Sequence, residues 1–272
     1  MYKRILIALD GSEYFLTAIE YGVYLAQGKS CHILGFAPVN EKSLLGTKKQ
    51  GNQLQIKVPP HVAAQVKRSI SEFQLYMTEH KIAKEQYEIK QAVGDPFYMI
   101  LREATFCDIL VIGEECHFPD QTQPDDSADR LLYRSSRPIL FTPAKFRPVQ
   151  TVIMGIDGTA SASRLIYMYT HLNPFPQAKI FLVHTKWEKD TFQLDEYFQN
   201  AETYFKKYGF NVQSVELDKP FPEALLEVAQ EQQGNLISFG IREELYKEKV
   251  KFDQSLVRPI LDASKCPVLT LR

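Results

Sequence analysis

The chain has 272 residues, 44% of them apolar and 24% charged, with a formal net charge of -1. That length predicts two domains, and the near-neutral balance argues against a general affinity for nucleic acid, which needs a basic patch to displace counterions. No run approaches the roughly 20 apolar residues of a membrane span.

In chain order, Met1 to Ile7 lead straight into a strand pattern rather than a signal peptide, so a cytoplasmic protein is expected. Short apolar runs predict strands at Ile5–Leu9, His32–Phe36, Tyr87–Gln91, Ile109–Ile112 and Ile139–Phe141. Helical patterns fall between them, near Tyr14–Ala26, His61–Lys81, Pro96–Thr105 and Ala128–Ser135. The polar stretch Lys42–Lys57, rich in Gln, Lys and Gly, predicts a mobile loop over a crevice. The same order then returns, with strands near Val152–Ile156, Ile180–His184, Val212–Leu217, Leu236–Phe239 and Val268–Leu271. Continuous apolar strands alternating with helices predict a parallel sheet covered on both faces.

The recurrence is visible residue by residue. RILIALDGS at 4–12 falls on TVIMGIDGT at 151–159, an offset of 147 that holds without a gap through Phe36 on Val183. Gly94-Asp95-Pro96-Phe97 corresponds to Asp218-Lys219-Pro220-Phe221, and Asp108–Gly113 to Asn235–Gly240. Arg137–Phe141 corresponds to Cys266–Thr270. The chain therefore divides into a repeat at 1–146 and a repeat at 150–272, joined by a short linker containing Pro148.

Right-handed crossovers in such a sheet leave a crevice at the carboxyl ends of the strands, where open α/β folds bind ligands. Asp10-Gly11-Ser12 and Asp157-Gly158-Thr159 follow the first strand of each repeat and so fall at that edge. A tight turn with a hydroxyl cap accounts for Gly and Ser or Thr but leaves the two aspartates open to a ligand role. Gly113 and Gly240 end the fourth strand, across the same crevice.

This order of strand, Asp-Gly-Ser/Thr, a Gly-Asp-Pro-like helix start, strand-Gly and a final Pro-apolar strand resembles the universal stress protein family (UspA-like). It does so over essentially the whole chain, twice, as a tandem two-repeat member. The resemblance implies two doubly wound, Rossmann-like repeats of the adenine nucleotide alpha hydrolase type, forming an internal pseudo-dimer through their last strands. In nucleotide-binding members the fourth strand is followed by Gly-x2-Gly-x9-Gly-Ser/Thr, whose backbone N–H groups wrap a phosphate.

Both repeats depart from that pattern. After Gly113 the second glycine position is Cys116, and the closing pair is Asp126-Ser127. After Gly240 they are Glu243 and, with the loop one residue longer as judged from the distance to Pro267, Gln254-Ser255. A non-glycine residue held at positive φ costs on the order of 1–2 kcal/mol. Carboxylates crowd both loops as well, at Asp120, Asp125, Asp126 and Asp129 and at Glu243, Glu244 and Glu248, against Arg242 and Lys247. ATP or another adenine nucleotide is therefore disfavoured and no cofactor is expected. Candidate ligand positions are Asp10, Gly11, Ser12, Gly113, Ser127, Asp157, Gly158, Thr159, Gly240 and Ser255.

Other chemistry is sparse. Cys116-His117 is the sole adjacent thiol–imidazole pair, on a loop expected to be accessible, and Cys31, Cys107 and Cys266 have no paired spacing. His32, His61, His80, His171 and His184 lack metal-ligand spacing. The expectation is a non-enzymatic stress-response binding or scaffold module with degenerate nucleotide loops, acting through an unidentified small molecule or protein partner. A homodimer is open. A nucleotide-binding stress protein with one working site, and a nucleotide hydrolase on the same scaffold, are the alternatives.

Overall fold

The computed structural model describes residues 3–50, 53–116, 118, 127–186, 194–241 and 257–272. The chain forms two compact units, Tyr2–Arg137 and Pro138–Arg272. The first contains β1 (Arg4–Ala8), α1 (Phe15–Ala26), β2 (His32–Asn40), β3 (Gly46–Gln50), β4 (Gln53–Lys57) and α2 (Pro60–Glu79). It continues with β5 (Tyr87–Gly94), α3 (Pro96–Ala104), β6 (Ile109–Gly113) and α4 (Ser127–Arg134). The second holds β7 (Ile139–Thr142), β8 (Thr151–Gly155), α5 (Ala160–Leu172), β9 (Lys179–Thr185) and α6 (Leu194–Lys207). Its remaining elements are β10 (Val212–Leu217), α7 (Phe221–Glu231), β11 (Leu236–Gly240), α8 (Val257–Ala263) and β12 (Val268–Leu271).

In the first unit the order β6-β1-β2-β5 is parallel throughout. Ile5, Leu6 and Ile7 are fully buried, as their unbroken apolar run requires of a strand covered on both faces. In the second unit β10-β9-β8-β11-β12 are parallel, and β7 adds antiparallel to β12 with Leu140 opposite Leu269. The sequence repeat and the compact unit thus differ by one strand. β1 lies between β2 and β6 as β8 lies between β9 and β11, so Asp10 and Asp157 follow equivalent strands.

The aligned residues Asp108 and Asn235 do the same work in the two units. Asp108 Oδ2 accepts the N–H of Lys3 at 2.6 Å and of Arg4 at 2.9 Å, which fixes the start of β1. Asn235 Oδ1 accepts the N–H of Gln150 at 2.9 Å and of Thr151 at 2.8 Å, and its amide donates to the Pro148 carbonyl at 2.8 Å. The linker is therefore tied down at its exit. On α3, Asp95 caps the helix by accepting the Tyr98 N–H at 3.0 Å. Arg130 of α4 donates to Asp95 Oδ2 at 2.8 Å and lies 4.8 Å over the Phe97 ring, which fastens α4 to α3.

The stretch expected as a mobile loop is ordered differently. Glu41–Ser43 is a 3-10 turn in which Asn40 Oδ1 accepts the Lys42 N–H at 3.1 Å. β3 and β4 then pair antiparallel as a separate two-stranded sheet. Strict alternation in Gln53-Leu54-Gln55-Ile56-Lys57 is a strand pattern, hidden by its Lys and Gln content. Among the described residues no helix is long and apolar enough to cross a membrane.

Candidate functional site: the loop corners of the two repeats

The turn after β1 closes on itself. Asp10 is buried, and its Oδ1 accepts the Ser12 N–H at 3.1 Å and the Ser12 hydroxyl at 2.9 Å. Gly11 between them sits at φ +74°, a conformation that favours glycine. Ser12 Oγ then accepts the Tyr14 N–H at 3.2 Å, just ahead of α1. After β8 the geometry recurs: Asp157 Oδ1 accepts the Thr159 N–H at 3.1 Å and its hydroxyl at 2.6 Å, with Gly158 at φ +77°. Thr159 Oγ1 caps α5 by accepting the Ala162 N–H at 3.2 Å. An aspartate that bonds the backbone two residues on makes an Asx turn. Both carboxylates thus have a local structural task, which spacing alone left open.

Helix α2 reaches over the first corner. Gln65 Nε2 donates to the Asp10 carbonyl at 2.9 Å, and a Cβ on Gly11 would lie 2.6 Å from Gln65 Cγ. Nothing in the sequence marks this mid-helix glutamine, 55 residues from its partner.

Gly113 and Gly240 serve close approach. A Cβ on Gly113 would lie 2.5 Å from Tyr14 Cβ. On Gly240 it would lie 2.6 Å from the Ser161 carbonyl carbon and 2.7 Å from the Ala162 nitrogen. In each repeat the strand ends bare so that the chain entering the first helix, α1 or α5, can rest on it.

The first corner is acidic. Burial, then the charges of Glu115, Glu114 and Glu13 and a hydrogen bond to Glu115, raise the Tyr14 phenol above its usual value. Glu114 and Glu115 follow Gly113 directly, a signal available in the sequence that counting glycine positions passed over. Ser127 is the first residue of α4. Ser255 lies outside the described residues, as do His117, Asp120, Asp125, Asp126, Arg242, Glu243, Glu244, Lys247, Glu248 and Gln254.

Cys116 is buried, so the thiol expected on an accessible loop is enclosed. None of the four cysteines is in a disulfide, and burial pushes the Cys107 thiol up to about 11. Among the described residues no group of three His, Cys, Asp or Glu is placed to hold a metal.

His184 is buried on β9, stacked on Phe198 of α6 at 3.8 Å, with Nδ1 3.8 Å from Glu216 Oε2. Burial lowers its pKa, outweighing the Glu216 carboxylate. The unfolded chain therefore binds the extra proton first. The stabilisation from neutral His184 is complete above the unfolded value of about 6.5 and is lost as pH falls through the lower folded value. Urea unfolding between pH 7 and 5 should show stability falling by at most about 1.4 kcal/mol per pH unit from this proton. His184→Phe should remove that contribution to the slope; an unchanged slope would assign it elsewhere.

The model of the Universal stress protein family matches residues 1–140, a little over half of the chain. No curated protein matches the sequence significantly. The fold is similar to that of a universal stress protein from Archaeoglobus fulgidus DSM 4304, with TM-score 0.72, 15% identity, and coverage of 99% of this chain and 96% of that one. It is also similar to a functionally unknown protein from Pseudomonas aeruginosa PAO1, with TM-score 0.59, 18% identity, and coverage of 99% and 92%. A universal stress protein from Archaeoglobus fulgidus in complex with dAMP aligns with 46% of this chain and 100% of its own, at TM-score 0.36 and 17% identity.

Proposed function

This chain belongs to the universal stress protein family, and from that premise we propose that it is a cytoplasmic, non-enzymatic stress-response module that binds or scaffolds a partner and does not use ATP. One observation carries the reading: at both strand ends the groups a nucleotide would need are already engaged by the chain itself. The Asp10 and Asp157 carboxylates accept from their own turns, and the bare faces of Gly113 and Gly240 are taken by Tyr14 and by the first turn of α5.

Electrostatics points the same way. A polyphosphate entering beside Gly113 would meet Glu13, Glu114 and Glu115, the carboxylates that raise the Tyr14 phenol. Like charges in a partly desolvated crevice repel more strongly than in water. These residues do not fit a phosphate cradle, and a buried Cys116 offers no ready nucleophile. The antiparallel pairing of β7 with β12 supports a further part of the proposal, that one chain contains internally what single-repeat members assemble from two.

Calorimetric titration of the full chain with ATP and magnesium should give no saturable heat up to about 1 mM, and denatured protein should release no nucleotide to mass spectrometry. A one-to-one isotherm in the low micromolar range would replace this reading with that of a nucleotide-binding stress protein.

A further inference from the structure

Helices α5 and α6 of the second unit leave a groove between them with a cavity of about 310 Å³, at the lower end of the range for small-molecule sites. Buried Ile166 and Ala201 give it an apolar floor. Three phenol rings, Tyr167, Tyr197 and Tyr204, line it above that floor, and among the described residues no charged side chain does.

The rings are braced by neighbours. Tyr197 Oη lies 3.2 Å from Ser163 Oγ, and its ring meets Phe198 edge-on at 5.8 Å. Tyr167 stacks on His171 with centroids 3.9 Å apart, and Tyr204 leans on Tyr208 at 4.9 Å. Tyr167 nevertheless keeps 61% of its surface exposed. Bracing fixes ring orientation before any ligand arrives, which lowers the entropic cost of binding. The first repeat is built differently at the corresponding place. There the offset of 147 puts Leu16, Ile19 and Glu20 at the positions of Ser163, Ile166 and Tyr167, and α1 packs directly on α2.

Ring faces carry the negative end of the aromatic quadrupole, so a cavity lined by three such rings, with no charged side chain among the described residues, attracts a cation and disfavours an anion. Asp157 adds to this field: after burial, its charge is what raises the Tyr197 phenol. We propose that this groove binds an organic ammonium, a quaternary or alkylated amine with an apolar body, seated with its charge against Tyr167, Tyr197 and Tyr204. The groove lies beside the Asp157 corner, where Ser163 Oγ donates to the Thr159 carbonyl at 3.1 Å, and choline is titrated without nucleotide, so the outcome does not depend on whether ATP binds at the corners.

The test uses the full chain with labelled tyrosine rings, followed by NMR during titration with choline and, in parallel, with its neutral isostere 3,3-dimethyl-1-butanol. Choline should shift the Tyr167, Tyr197 and Tyr204 ring signals saturably, and the alcohol should bind about ten-fold or more weakly. Tyr204→Phe should keep choline binding, because the ring face and not the hydroxyl is required. Tyr204→Leu should weaken it about ten-fold. Equal or tighter binding of the alcohol would make this a neutral apolar site and overturn the proposal. Absence of shifts at tens of millimolar choline would do so outright, and both readouts on the parent chain stand even if Tyr204→Leu fails to fold.

Discussion

Gly240→Ala is expected to destabilise the second unit by about 3 kcal/mol or more, the upper end of overpacking costs. The added methyl would sit 2.6 Å from the Ser161 carbonyl carbon, 2.7 Å from the Ala162 nitrogen and 2.8 Å from the Ser161 oxygen. All three are backbone atoms, so no rotamer change relieves the clash. Moving the first turn of α5 away would stretch the Ala162 N–H bond to Thr159 Oγ1 and disturb the Asp157 turn that feeds it. Urea unfolding by circular dichroism measures the loss, and no ligand is needed to see it. A change within about 0.5 kcal/mol, the range of neutral surface substitutions, would show that α5 slides freely on β11.

Leu269→Asp should have an effect at least as large, on the order of 4 kcal/mol, because it buries an unpaired carboxylate. Leu269 is fully buried, opposite Leu140 on one side and Ser238 on the other. Losing it should release β7 and, behind it, the linker, whose Pro148 carbonyl and Gln150 N–H are held by Asn235. Limited proteolysis should then cut between Phe146 and Gln150 at least about ten-fold faster, following the population of the opened state. The volume-conserving Leu269→Met should leave the rate nearly unchanged. If the aspartate variant remains folded and is cut no faster, β7 is held by something other than β12.

The repeat, the strand and helix order and the equivalent placement of Asp10 and Asp157 were legible in the residues, because each rests on local periodicity. A parallel strand covered on both faces must be an unbroken apolar run, as in Ile5–Leu9 and Val152–Ile156, and two such runs 147 residues apart carry the same turn after them. The family resemblance rested on the same short patterns, and the match over residues 1–140 agrees with it. The β3–β4 hairpin was also written there, but Lys and Gln at alternate positions read as a loop when hydrophobicity is the guide.

Only the tertiary structure decided what those residues do. The Asp10 turn is covered by Gln65, which an α2 beginning at Pro60 carries in from a distance in sequence. The glycines that a motif reading assigns to phosphate have a packing requirement of their own, set by Tyr14 and by the α5 backbone. The groove of tyrosines depends on how far α6 stands from α5, and no helix encodes its own distance to a neighbour. Periodicity is a property of adjacent residues and survives in the sequence. Close approach depends on which surfaces meet after long-range packing, and that exists only in the folded chain.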